Sequence, residues 1–232
     1  MSAPLAFLHT AQAHVATFDA LVAELDPTVA ASHLVDPTLL ADARAAPGAT
    51  SIVASRVAGA MRTLADEGAR VVVCTCSTVG AAAEVDLGPG RHALRIDRPM
   101  AEAAVAAGRR IAIVAALAST FAPTRALLED EARRAARRVE LRDVLCAGAW
   151  PLFEAGDRAG YRDRVAAAAR EAGAACDVVV LAQASMAEAA ALCADAGTKV
   201  LASPRLGVVA ALRALRAGGE RDGHAGSATP PR

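Results

Sequence analysis

Short apolar runs alternate with longer amphipathic stretches along almost the whole chain. Residues 5–9, 29–35, 71–75, 93–96, 111–115, 139–144, 178–182 and 199–202 read as strands. Several of these runs lack polar alternation, the pattern of strands covered on both faces in a parallel sheet. The stretches between them carry helical spacing. Val53, Val57, Met61 and Leu64 form one stripe, with Gly68 placed for a C-terminal cap. Tyr161, Val165 and Ala168–Ala169 form a second before Gly173. Over residues 124–139, Leu127, Leu128, Ala132 and Ala135 share a face, with acids early and arginines late, an order that suits the helix dipole.

Strands alternating with helices predict an α/β fold with parallel sheets. A repeated passage predicts that there are two of them. Val71-Val72-Val73-Cys74-Thr75-Cys76-Ser77-Thr78 returns as Val178-Val179-Val180-Leu181-Ala182-Gln183-Ala184-Ser185, and 178 − 71, 183 − 76 and 185 − 78 all give 107. The expected architecture is two similar doubly wound parallel-sheet domains related by pseudo-two-fold symmetry, with the site in the cleft between them. The first domain takes residues 1–97 and the second 98–204, with the boundary near Asp97-Arg98-Pro99. A helix over 205–217 packs back on the first domain. Residues 218–232, rich in Gly, Ser, Pro and charge, read as a disordered tail.

Composition narrows the function. Of 232 residues, 25 are Lys or Arg and 25 are Asp or Glu. That balance lacks the electrostatic footprint of a nucleic-acid binder or a polybasic membrane binder. No apolar stretch approaches the ~20 residues of a membrane span, and residues 1–18 do not read as a signal peptide. The cysteines, Cys74, Cys76, Cys146, Cys176 and Cys193, are odd in number and lie mostly in apolar runs. Reduced thiols and a cytoplasmic location follow as expectations.

In an open parallel sheet, ligands bind beyond the carboxyl ends of the strands, beside the following helix starts. Cys76-Ser77-Thr78 occupies that place in one half and Gln183-Ala184-Ser185 in the other. Backbone N–H groups at a helix start, joined by Ser and Thr hydroxyls, suit a carboxylate. The same dipole lowers a cysteine's pKa, which makes Cys76 a candidate thiolate base or nucleophile. Cys74 reads as core. A metal site is not expected, since Cys-x-Cys lacks the usual spacing and no histidine pair accompanies it.

These residues resemble the aspartate/glutamate/hydantoin racemase superfamily. Residues 71–84 resemble its first cysteine turn, usually Cys-Asn-Thr, with Cys76, Ser77 and Thr78 in the matching places. Arg95 to Met100, then 101–108, 111–115 and Ser119-Thr120, resemble the entry into the second domain, and 177–186 resemble the second turn, normally Gly-Cys-Thr. The resemblance covers about residues 4–215. It implies two α/β domains facing across a cleft, no cofactor and no metal, a small carboxylate-bearing substrate, and a homodimer as the common assembly of relatives. Two-cysteine members remove a proton α to a carboxylate with one thiol and deliver one with the other. Single-cysteine relatives include arylmalonate decarboxylases and maleate isomerases.

The chain departs from that pattern at Gln183, which holds the second cysteine position and can only donate and accept hydrogen bonds. Cys193 lies about two turns into the following helix and does not replace it. Gln183 is expected to orient the substrate or stabilise a developing enolate. His9, at the end of the first strand, is a candidate for the missing acid or base, alongside a backbone-bonded structural role. Thr10, Ser77, Thr78, Ser119, Thr120, Ala184 and Ser185 are the expected substrate contacts, with a helix N-cap as the other role for Thr120. His14 and His33 read as structural or exposed. Three functions fit: a Cys76 enzyme performing proton transfer, isomerisation or decarboxylation; an inactive racemase-like protein that binds a carboxylate; or a racemase whose second acid/base is not a cysteine.

Overall fold

The structure is a computed structural model that describes residues 3–45, 51–195 and 197–224. Strand β1 (Leu5–His9) leads through helix α1 (Ala13–Leu25) to β2 (Ala31–Val35). Helices α2 (Pro37–Ala45) and α3 (Ser51–Asp66) return the chain to β3 (Val71–Cys74), and β4 (His92–Arg95) ends the first sheet. Helix α4 (Arg98–Ala107) then enters a second series: β5 (Arg110–Ala115), α5 (Phe121–Arg134), β6 (Glu140–Leu145), α6 (Ala149–Glu154), α7 (Arg158–Gly173), β7 (Val178–Leu181), α8 (Glu188–Ala191) and β8 (Lys199–Ala202). Helix α9 (Ser203–His224) follows. It continues beyond Ala217, where the apolar pattern stops, because glycine weakens a helix without forbidding it. Of the tail expected to be disordered, 218–224 is therefore helical, and 225–232 lies outside the described residues.

All strand pairs are parallel, in the orders β2-β1-β3-β4 and β6-β5-β7-β8. The period of two along each central strand sends alternate side chains to opposite faces. Leu5, Phe7, Val71 and Val73 meet Phe18 of α1 and Val208, Ala211 and Leu212 of α9. Ala6, Leu8, Val72 and Cys74 meet Val53, Val57 and Met61 of α3. The second sheet repeats this scheme, with α4 and α5 on one face and α7 on the other. Burial on both faces explains the unbroken apolar runs of β1, β3, β5 and β7.

Pairing register refines the repeat. Val71 and Val178 are equivalent, as are His92 and Lys199, both 107 apart, but Leu5 corresponds to Ile111, 106 apart. His9 and Thr10 therefore correspond to Ala115 and Ala116, and Thr75 corresponds to Ala182. Helix α5 stops at Arg134, earlier than the periodicity suggested, because Ala136 takes a left-handed φ of 51° and turns the chain. The stretches after β3 and β7 are shorter still. They are single 3-10 turns, Gly80–Ala83 and Ala184–Met186, the second followed by the one-turn α8.

Helix α9 approaches the first half closely at Gly207, where a Cβ would lie 2.3 Å from Ile96 Cδ1 and 2.5 Å from the Ile96 carbonyl oxygen. Alanine is preferred to glycine in a helix interior by ~1 kcal/mol, but a backbone oxygen cannot move aside cheaply. Gly207→Ala should therefore lower the unfolding free energy by ~1–3 kcal/mol, measured by urea titration. An unchanged or raised midpoint would show that α9 can shift off the first half.

Candidate functional site

In each sheet the chain adds one strand beside the first, then crosses to the other side of it. The loops after β1 and β3 therefore diverge, as do those after β5 and β7, and each pair opens a crevice. The two crevices face each other. Ser77 Oγ donates to the Ala182 carbonyl oxygen at 2.8 Å, which ties the first cysteine turn to the end of β7. Ala184 packs into the apolar cluster of the first sheet. Between them lies a cavity of about 30 Å3, bounded by Thr10, Thr75, Cys76 and Thr78 from one half and by Gln183 and Ser185 from the other. Ser77 and Ala184 also line it, with Ala11, His14, Leu40, Leu117 and Trp150. A second cavity of about 50 Å3 shares His14, Ala184 and Ser185 and extends past Phe153, Tyr161 and Arg158.

Cys76 is half-buried, whereas Cys74, two residues earlier, lies in the core. Burial pushes the Cys76 thiol up from its ordinary range, and Asp97 adds to the rise. The Thr10 hydroxyl and the backbone N–H groups of Val79 and Thr78 act in the opposite direction. The depressed pKa expected from a helix start is not what the structure gives. A four-residue 3-10 turn carries little dipole, so desolvation prevails. A thiolate formed there would meet three hydrogen-bond donors already in place.

Asp97 is held by Arg95. Nε donates to Oδ1 at 2.7 Å and Nη2 to Oδ2 at 2.9 Å, and both side chains are buried. The guanidinium packs beneath the turn, 3.1 Å from where a Cβ at Gly80 would sit. This pair sets the floor of the cysteine loop. Arg205 instead pairs with Glu24 and stands away from the cavity.

On the opposite wall, Gln183 Oε1 accepts from the backbone N–H of Ala116 at 2.6 Å and of Leu117 at 3.3 Å. Two N–H donors require an oxygen at that position, which settles the orientation of the amide. Its acceptor is thus committed to the end of β5, and its Nε2 group remains as a donor. Ser185 Oγ shares a 2.8 Å hydrogen bond with Tyr161 OH, and burial raises the Tyr161 phenol to about 12.

The structure places three expected site residues away from the cavity. Ser119 and Thr120 do not line it. Their hydroxyl oxygens, with that of Thr124, are buried and lack hydrogen-bond partners among the described residues, so Thr120 does not cap α5. His9 is fully buried and bonded at both ring nitrogens, through Nδ1 to Thr75 Oγ1 at 2.8 Å and through Nε2 to His33 Nδ1 at 2.8 Å. His33 Nε2 continues to Asp19 Oδ1 at 2.9 Å. The register explains this arrangement: Phe7 pairs with His33, and Phe7, His9, His33 and Thr75 project from one face of the first sheet. Burial, reinforced by His33 and His14, lowers His9 to about 3. The residues that sequence reasoning missed are His14 and Tyr161. His14 sits in the first turn of the helix after β1, at the cleft end of the sheet, and that position was the available signal.

Among the described residues, no group of three or more His, Cys, Asp or Glu is placed to hold a metal ion. No described helix is long and apolar enough to cross a membrane.

No protein-family model and no curated protein sequence matches the chain. Its three-dimensional structure does match solved ones. A glutamate racemase isoform of Bacillus anthracis superposes with a TM-score of 0.69 at 14% identity, over 94% of this chain and 83% of that one. An allantoin racemase of Klebsiella pneumoniae gives a TM-score of 0.69 at 18% identity, covering 94% and 89%. A glutamate racemase of Francisella tularensis in complex with D-glutamate gives 0.65 at 15% identity, covering 94% and 82%. The chain shares the fold of these racemases, two similar α/β halves with parallel sheets.

A histidine of the unfolded chain titrates near 6.5, whereas His9 is held at about 3. Between those values the unfolded chain binds more protons than the folded one. Stability from this source is therefore complete above pH 6.5 and is lost as the pH falls toward 3. For His9 alone, the unfolding free energy should drop by ~2–3 kcal/mol between pH 7 and pH 4.5, read from urea midpoints. A flat midpoint over that range would mean that His9 takes up its proton without unfolding.

Proposed function

We propose that the protein is a cofactor-independent enzyme of the racemase type, acting at the carbon α to the carboxylate of a small substrate through Cys76. The observation that carries this reading is the setting of Cys76. It is a neutral thiol on the wall of a cavity where two racemase-like halves meet, with Thr10 and the N–H groups of Thr78 and Val79 aimed at its sulfur. Such a thiol can hand its proton to a carbanion and be stabilised as the thiolate that remains. The Nε2 donor of Gln183 and the hydroxyls of Thr78 and Ser185 are available for the carboxylate and for the enolate charge that develops on it.

Cavity volume bounds the substrate. About 30 Å3 beside Cys76 and 50 Å3 in the adjoining lobe amount to a few water molecules each, given the ~10–15 Å3 needed for one. That limits the substrate to a compact acid. The D-glutamate bound to the Francisella tularensis relative is a ligand of that class. Racemisation or isomerisation is the favoured branch, since the structural neighbours named above are racemases.

Proton NMR in deuterated buffer tests this, using a panel of amino acids, hydroxy acids, hydantoins, malonates and maleate, with wild type and Cys76→Ala in parallel. Wild type should exchange or convert at least one member. Cys76→Ala should lose about 10²–10⁴-fold of that rate with a melting temperature close to wild type. Equal turnover by the two proteins, or silence of wild type across the panel, would overturn the assignment.

A further inference from the structure

With glutamine rather than a thiol at position 183, proton exchange on both faces of a substrate carbon calls for a group besides Cys76, and His14 is placed to supply it. The chain leaves β1 at His9, turns through Thr10, and starts α1 at Ala13, so His14 stands at the cleft end of the first sheet. Its ring centroid lies 6.2 Å from that of His9 and 6.4 Å from that of Phe153, and it thus reaches from one half to the other. It lines both cavities, the inner with Cys76 and the outer with Tyr161. His9 and His33 have both ring nitrogens engaged, whereas the ring nitrogens of His14 have no hydrogen-bond partner among the described residues.

We propose that His14 is the second acid/base of the site, taking a proton from the substrate carbon while Cys76 gives one to it. This role rests on the assignment of Cys76 made above. The charged groups around His14 are Arg158, Arg162 and Glu188 in the outer cavity, with His9 behind it and Cys76 ahead. Burial, then the Arg158 charge, hold His14 at about 4, so its imidazole is neutral and able to accept a proton. Cys76, raised by burial, is the complementary neutral acid.

The step balances without any further reactant. The α C–H bond breaks, its proton moves to an imidazole nitrogen, and the electron pair passes into the carboxylate as an enediolate. The S–H bond of Cys76 then breaks as a new C–H bond forms, leaving a thiolate and an imidazolium. One proton passing back from His14 to Cys76 restores the starting state. The thiolate–imidazolium form runs the same reaction in the opposite direction.

The test uses any panel acid that shows Cys76-dependent exchange of its α-hydrogen for deuterium. His14→Gln should lower that exchange about 10²–10⁴-fold, leave the melting temperature near wild type, and leave Cys76 open to alkylation by iodoacetamide. His14→Ala should be slow as well, and added imidazole should restore it with a rate rising in step with the concentration of neutral imidazole. A residue that only shapes the pocket would not give that dependence. Cys76-dependent exchange that persists within about twofold in His14→Gln, or that imidazole cannot restore in His14→Ala, would overturn the role of His14 and leave Cys76 standing. A panel without Cys76-dependent exchange would overturn both readings.

Discussion

A backbone polar group buried without a partner costs about as much as a lost hydrogen bond, and that cost governs the place where the two sheets of this protein meet. Parallel strands stop pairing at their carboxyl ends, where the chain diverges to either side. Here those ends are brought face to face and desolvated. Each free N–H and C=O must find something, and what it finds decides what remains for a ligand. At the end of β5 the answer is Gln183, whose amide oxygen accepts the N–H groups of Ala116 and Leu117. At the end of β7 it is Ser77, reaching across from the other half to the Ala182 carbonyl. Two of the polar side chains at the cleft thus satisfy backbone at the strand ends as well as bordering the cavity, and one of them, Ser77, ties the first half to the second.

The same constraint makes the repeat chemically unequal. The positions equivalent to His9, Thr10 and Thr75 are Ala115, Ala116 and Ala182. At these positions the first half carries imidazole and hydroxyls, and the second carries only methyl groups. Gln183 occupies the cysteine position, yet its acceptor is spent on the backbone that small alanines leave exposed. The fold repeats while these side chains do not, and the thiol and the histidines gather on one side.

Much of the fold was legible because both faces of the central strands are covered. Apolar runs such as Val71–Cys74 and Val178–Leu181 have few other fates, and the stripe of Val53, Val57, Met61 and Leu64 is buried as a unit. The turns bearing Cys76 and Gln183 were legible for a related reason: small polar residues at the end of a buried run mark a crevice mouth. The state of Cys76 was not, since composition cannot tell a long helix from the single turn Gly80–Ala83, nor weigh desolvation against dipole. The surroundings of the histidines were not legible for want of register. His9 and His14 differ by five positions in sequence, but only the pairing of Phe7 with His33 shows that His9 faces inward.

The file running from Asp19 through His33 and His9 to Thr75 has a consequence that follows from counting hydrogens. The Thr75 hydroxyl has one proton and two acceptors within reach, His9 Nδ1 at 2.8 Å and the Leu8 carbonyl at 3.2 Å. If it points to His9, every bond in the file runs toward Asp19 and both imidazoles are neutral. If it points to Leu8, His9 must donate through Nδ1, and the file then needs one more proton, on His9, His33 or Asp19, to keep every bond. The two arrangements differ by a single proton and by the direction of one hydroxyl dipole at the cavity wall next to Cys76. The hydrogen count of the file and the polarity of that wall are thereby linked without any heavy atom having to move.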